Sequence, residues 1–226
     1  MLEEICKKYD TEIKEILNAL DYCFLDELDQ DSFEMDVVCC FEDHYKKPFN
    51  WDNGATKGVL IFKNYGFVIK IPFTYCDGCE LCGAYEGDTD WDYCSQEENR
   101  YLKAKKNGLS QIFLQTSCIG EVDEHPIYIQ LIAEPLDKID YNDSRKSNHS
   151  KSSRDEIKVV KMINEENDYS WINGLWEADV FTMYGGKYYH RFKKYIKDNC
   201  INDLRDANVG YVGLKPVILD YAGFDS

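Results

Sequence analysis

Apolar residues at Leu2, Ile5, Tyr9, Ile13, Ile16, Leu17 and Leu20 recur every three or four positions, which predicts an amphipathic helix over residues 2–20. A short helix or strand around Met35–Phe41 follows, and then a loop over 48–54 containing Pro48, Asn50, Asn53 and Gly54. The pattern next changes to that of strands. Gly58–Phe62 and Phe67–Pro72 are apolar runs on either side of Lys63, Asn64, Tyr65 and Gly66, which reads as strand, tight turn, strand. After an acidic, cysteine-rich loop at 75–92, residues 95–107 predict a helix carrying Glu97, Tyr101, Ala104 and Gly108 on one stripe. Ile112–Ile119 and Pro126–Ile132 read as further strands. Residues 137–154, polar and rich in Ser, Lys and Asn, predict a flexible connection. Helices are expected over 155–164 and 185–199, with an unassigned aromatic segment around Trp171 and Trp176. The chain has no internal repeat. A β-rich front half and a helical rear half, joined near residue 137, make the expected class α+β.

Composition narrows the alternatives. With 44% hydrophobic and 14% aromatic residues among 226, the chain is globular and long enough for one large domain or two small lobes. No run approaches the roughly 20 apolar residues of a membrane span, and the charged N-terminus lacks a signal-peptide core. A soluble, cytoplasmic protein is expected. The net charge of -16 argues against general nucleic-acid binding. Residues 1–50 hold 14 acidic against five basic residues. Such a segment serves either as a solvated surface or as a face for a basic protein partner.

Phosphoryl transfer asks a protein for cations on the phosphates, acids that hold a metal and a residue that orients the acceptor. Lys70 lies within the apolar strand Phe67–Pro72, where an unpaired charge would be costly. Glu97 on the following helix is its expected partner, with Glu98 the alternative if the helix phase shifts by one. The small residues of Gly54–Gly58 form a turn able to bring backbone N–H groups near phosphates. Towards the end of the sequence, Asp203 and Asn208 are five positions apart, and Asp220 follows the apolar run Pro216–Leu219.

In this order and at these intervals, the residues resemble the protein kinase-like superfamily. Gly54–Gly58 is similar to its glycine-rich loop, Lys70 to its strand lysine, Glu97 to its helix glutamate, Asp203 with Asn208 to its catalytic loop, and Asp220 to its metal-binding aspartate. The resemblance spans about residues 50–224. It implies a bilobal protein kinase-like fold with an antiparallel-sheet N-lobe and a reduced helical C-lobe. Residues 1–49 would be an acidic helical extension, 50–136 the N-lobe with a cysteine-rich insertion at 75–94, 137–154 the linker, and 155–226 the reduced C-lobe with a catalytic hairpin turning at Gly213. By the same resemblance Lys70 would contact nucleotide phosphates and pair with Glu97, Asp203 would orient the acceptor, Asn208 and Asp220 would bind Mg²⁺, and Ala133 would lie at the adenine-binding hinge. ATP and Mg²⁺ are the implied cofactors. Four departures stand out: Ile201-Asn202 replaces the family's His-Arg, Gly223 comes one residue late after Asp220, Gly54–Gly58 lacks the full Gly-x-Gly-x-x-Gly, and the family's activation segment and peptide-docking platform are not seen by Ser226.

Cys76, Cys79 and Cys82, with Cys94 further on, have spacings that fit a structural Zn²⁺ site. The alternative is a loop of free thiols with Cys94 buried at the start of the helix. The adjacent Cys39 and Cys40 read as strand or core rather than a redox pair. The expected function is an atypical, minimal kinase-like phosphotransferase acting on a protein or small molecule. One alternative is a pseudokinase scaffold, such as a phage or mobile-element factor, that inhibits a partner through its acidic N-terminal region. Another is an α+β interaction domain.

Overall fold

The computed structural model describes residues 1–54, 56–73, 92–139, 154–167 and 172–221. Two compact units divide the described residues: Met1–Asn99 with Gln115–Ile132, and Arg100–Leu114 with the described chain from Ala133 to Tyr221. The fold is α+β. No helix among the described residues is long and apolar enough to cross a membrane.

In the first unit the expected N-terminal helix is two helices, α1 (Leu2–Lys8) and α2 (Asp10–Leu20), interrupted at Tyr9 with φ −114°. The segment around Met35 is helical: a π-helical turn, Glu34–Cys39, runs into α3 (Cys40–His44). Cys39 is exposed there, and the Cys40 thiol donates to Tyr22 O, so neither forms a strand. Five antiparallel strands follow: β1 (Asn50–Asn53), β2 (Lys57–Phe62), β3 (Phe67–Pro72), β4 (Thr116–Val122) and β5 (His125–Leu131), in the order β1-β2-β3-β5-β4. β1 falls in the stretch expected to be loop. Its polar sequence carries no strand signal, and pairing with β2 from Asn50↔Ile61 to Asn53↔Gly58 makes it one.

The register sorts this sheet into two unlike faces. Leu60, Phe62, Phe67, Ile69, Ile71, Ile127 and Ile129 share one face and are fully buried. The N-terminal 49 residues supply cover for it: Phe33 lies over Gly58, Phe41 and Tyr45 meet Phe62 edge-on, and Tyr9 packs on Phe67. The acidic segment is thus built into the first unit, its apolar stripe inward and its carboxylates outward. Lys57, Lys70, Tyr128, Gln130 and Thr116 share the opposite face.

The helix α4 (Tyr93–Lys106) starts two residues before the expected Ser95, because Asp92 caps it: the Ser95 N–H donates to Asp92 Oδ1 at 2.8 Å. It ends at Gly108, whose φ of +67° allows the Leu109 N–H to reach back to Ala104 O. Residues 112–114 are not a strand. Phe113 makes one isolated bridge to Ile218, and β4 begins only at Thr116.

The second unit contains β6 (Glu134–Pro135), a 3₁₀ turn at Leu136–Lys138, α5 (Arg154–Asn167), α6 (Gly174–Tyr184), α7 (Gly186–Asp198), β7 (Val209–Val212) and β8 (Lys215–Ile218). The expected linker begins inside this unit, since Leu136 and Ile139 belong to its core; residues 140–153 lie outside the described part. The aromatic segment resolves at Trp176, which sits fully buried in α6 and donates its indole N–H to Gly210 O at 3.0 Å. Trp171 lies outside the described residues. Gly213, with φ +62°, takes the first position of a two-residue turn joining β7 and β8, as the hairpin geometry favours.

Candidate functional site

Each unit carries one cluster that the sequence singled out. In the first unit, β3 presents Lys70 and the second turn of α4 presents Glu97. Lys70 Nζ donates to Glu97 Oε2 at 2.7 Å, with Glu97 fully buried. Glu98, the alternative, instead accepts the Cys118 backbone N–H at 3.2 Å. The helix phase therefore resolves in favour of Glu97.

Three further side chains complete the cluster, and sequence reasoning missed all of them. Lys57, the first residue of β2, donates to Glu97 Oε1 at 2.5 Å. Thr116 Oγ1 donates to Glu97 Oε2 at 2.7 Å and accepts from Gln130 Nε2 at 2.9 Å. Lys57 and Lys70 lie on the same side because Val59 is registered opposite Lys70, and Lys57 is two residues from Val59. The available signal was alternation: Lys57 precedes the run Val59, Ile61 in the same parity. Only the strand register could convert that parity into a shared carboxylate.

Gly54 and Gly58 flank the turn from β1 to β2, where the Gly54 N–H donates to Lys57 O at 3.0 Å. Gly58 has a packing reason for lacking a side chain. A Cβ there would lie 2.0 Å from Phe33 Cε2, on the apolar face and away from the lysines. At the head of α4, Asp92 also accepts the Tyr128 hydroxyl, and burial holds that phenol well above its usual range. Cys94 is fully buried beside Lys57 and Glu97, and desolvation keeps its thiol protonated. Cys76, Cys79 and Cys82 lie outside the described residues. Among the described residues no group of three metal-ligating side chains converges.

In the second unit, the loop Ile201–Asn208 leads into β7, and Asn208 organises it. Its Nδ2 donates both to Asp203 Oδ2 and to Asp203 O, each at 2.9 Å. Its backbone carbonyl accepts the N–H groups of Leu219 and Asp220, at 2.8 and 3.3 Å. Asn208 therefore ties Asp203 at one end of the hairpin to Asp220 at the other. Asp203 stays partly exposed, with Arg205 Nε 3.5 Å from its Oδ1.

The residues beside Asp220 are firmly anchored. Tyr221 is buried, packs edge-on against Phe113 and donates its hydroxyl to Leu114 O at 2.7 Å. Arg100 Nη1 donates to Tyr221 O at 2.5 Å. Ile201, where the family pattern has His, is buried in the core and contributes no polar group. Ala133 is the first residue of the second unit along the chain after β5, half-buried and adjoining β6.

The second unit also buries a cluster that the sequence did not announce. Glu177 Oε1 accepts from Lys193 Nζ at 2.5 Å and from Tyr189 OH at 3.0 Å, while Oε2 accepts from Asn164 Nδ2. Burial raises the Glu177 carboxyl and lowers the Lys193 ammonium, each partly countered by the other's charge. These four residues join α5, α6 and α7 internally. No family model, curated protein or solved structure matches the chain.

Proposed function

We propose that the chain is an ATP- and Mg²⁺-dependent phosphotransferase of atypical protein kinase-like type, with a kinase-like bilobal fold, acting on a protein or small-molecule acceptor. The observation that carries this reading is the wiring of Asn208, which holds the loop carboxylate of Asp203 and the backbone of Asp220 together. The first unit supports it with the buried Lys70–Glu97 pair, lysine on a strand and glutamate on the following helix.

The donor set fits a hard divalent cation. Because the Asn208 amide nitrogen is committed to Asp203, its side-chain oxygen would be the Asn208 atom to face a metal, and Asp220 would be the carboxylate ligand. Mg²⁺ bound there would neutralise charge on the phosphates. Asp203 would accept a hydrogen bond from the acceptor hydroxyl and take up its proton, with Asn208 fixing the carboxylate's orientation. Lys70, oriented by Glu97, would donate to phosphate oxygens.

Transfer of labelled γ-phosphate from ATP, to itself or to an added acceptor, tests the reading. Asp203→Ala should reduce transfer by about 10²–10⁴-fold with nucleotide affinity retained. Saturable ATP binding with no transferred label under any condition would remove the enzyme and leave a nucleotide-binding scaffold.

One observation favours a second reading, a scaffold that engages a basic partner. Tyr22, Phe24 and Met35 are 65%, 60% and 70% exposed, within a stretch, residues 21–36, whose only charged residues are carboxylates. Titration with a synthetic Leu/Lys amphipathic peptide, compared between wild type and Phe24→Ser, tests it. Equal affinity in the two proteins counts against this face.

A further inference from the structure

We infer that Cys23 and Cys40 form a dithiol–disulfide pair, a redox modification site that takes a small-molecule disulfide as co-reactant and staples the acidic segment between them at its base. The inference is independent of the phosphotransferase reading.

Each thiol lies at a peptide group adjoining the other cysteine. The Cys40 thiol donates to Tyr22 O at 3.0 Å, on the residue just before Cys23. The Cys23 thiol lies 3.7 Å from Val37 O, the same carbonyl that accepts the Cys40 backbone N–H. The two side chains also hydrogen-bond each other. Cys39, next along the chain, is exposed. Between the pair, every charged residue from Asp26 to Asp36 is a carboxylate, so the segment repels itself. The Phe24 N–H donates to Asp36 O at 3.4 Å, which brings the two ends of that segment together. A bond between the sulfurs would fix the same closure covalently.

The two thiols differ in access, and this sets the order of reaction. Cys40 is partly exposed, whereas Cys23 is 6% exposed. Burial above all, and then the neighbouring Cys40, hold the Cys23 thiol well above its ordinary range. The Cys40 thiolate therefore attacks first. Its sulfur bonds to one sulfur of a disulfide R–S–S–R, and the first R–S⁻ leaves with the electron pair and takes up the proton that Cys40 gave. Cys23 then attacks the Cys40 sulfur of the mixed disulfide and expels the second R–S⁻, which takes up the Cys23 proton. Two thiols are oxidised to one disulfide, and one R–S–S–R is reduced to two R–SH. Contact between the sulfurs offsets the small thiolate fraction of Cys23 in this second, intramolecular step.

The test equilibrates the full chain with reduced and oxidised glutathione, folded and in urea, followed by acid quenching, alkylation and disulfide mapping by peptide mass spectrometry. In urea, pairing is spread over ten cysteines. The folded wild type should hold about tenfold or more of the Cys23–Cys40 bond relative to the chain in urea, reversibly with dithiothreitol. Oxidation should then raise its urea midpoint, and should not do so in Cys40→Ala. Cys39→Ser should behave as wild type, and Cys23→Ala should stop at a glutathione adduct on Cys40. No enrichment of the Cys23–Cys40 bond in the folded protein overturns the inference, as does a bond made through Cys39 instead. A glutathione adduct that persists on Cys40 of wild type, or a midpoint lowered by closing the bond, likewise overturns it. Mapping of wild type decides the matter even where Cys23→Ala fails to fold.

Discussion

The two buried lysine–glutamate clusters use the same chemistry to different ends. In the second unit a lysine, an asparagine and a tyrosine, all on helices, bond Glu177. In the first unit Glu97 serves two lysines, both on strands of one sheet. The helical cluster reads as a clamp, a polar joint at which α5, α6 and α7 must meet in one arrangement. The sheet cluster instead sits on the face of the sheet that carries Lys57, Lys70, Tyr128, Gln130 and Thr116, opposite the fully buried apolar face. A buried Lys–Glu pair therefore does not mark a functional site by itself.

The sharpest way to break this comparison is to remove each carboxylate in turn. Glu177→Ala should destabilise the protein by about 3–5 kcal/mol, because the buried Lys193 loses the carboxylate it pairs with. Urea denaturation would show this as a shifted midpoint, while protein that remains folded keeps its ligand affinity. Glu97→Gln should instead weaken ATP binding by about tenfold or more, whatever its effect on stability. If the two variants behave alike in both assays, the distinction between clamp and site is lost. Replacing the clamp wholesale, Glu177→Leu with Lys193→Met, should cost much less than Glu177→Ala alone, as apolar substitutes for buried pairs commonly do.

Close approach supplies a smaller contrast. A Cβ on Gly210 would lie 2.1 Å from Glu134 O, a backbone atom that cannot rotate away, whereas Gly58 faces the Phe33 ring. Gly210→Ala should therefore cost about 1–3 kcal/mol and exceed Gly58→Ala in a paired melting experiment. A smaller effect again is expected at the start of α6, where Asn173 Oδ1 accepts the Leu175 N–H at 3.1 Å. Asn173→Ala should cost about 1 kcal/mol.

The subtlest prediction concerns pH. Burial raises Glu177 above its usual 4.5, so its contribution to stability is full below that value and is lost as pH rises through the folded pKa. Lys193 is lowered from 10.5, so its contribution is full above that value and is lost as pH falls through its folded pKa. Between pH 4.5 and neutrality, wild type should therefore lose stability relative to the Glu177→Leu, Lys193→Met protein. Urea midpoints measured across that range check the sign, and a difference that stays flat would show that the pair does not titrate there.

Much of the fold was legible because local pattern and tertiary environment agreed. Phe67–Pro72 is apolar but for Lys70 and is a central strand; Gly213 sits where the hairpin needs a positive φ; Asp203, Asn208 and Asp220 fall on one loop and hairpin, so their approach follows from local connectivity. Glu97 was legible through helical phase. Other features depended on distant partners. Polar Asn50–Asn53 becomes a strand only because β2 lies beside it. The single helix expected over residues 2–20 breaks at Tyr9, whose ring turns to Tyr65 and Phe67 of the sheet. Residues 100–114 pack with the rear of the chain although they lie in sequence between elements of the first unit.

The sequence by itself placed Lys70 on a strand, Glu97 on a helix and Asp203 with Asn208 on one loop, since each of these patterns is contained within a dozen positions. Only the tertiary structure decided who partners whom. Lys57 and Lys70 share a carboxylate because strand register places them on one face, and Lys193 meets Glu177 because three helices close around them. Register and helix packing are set by the whole buried surface, a sum over residues distant along the chain, and no local window of sequence contains it.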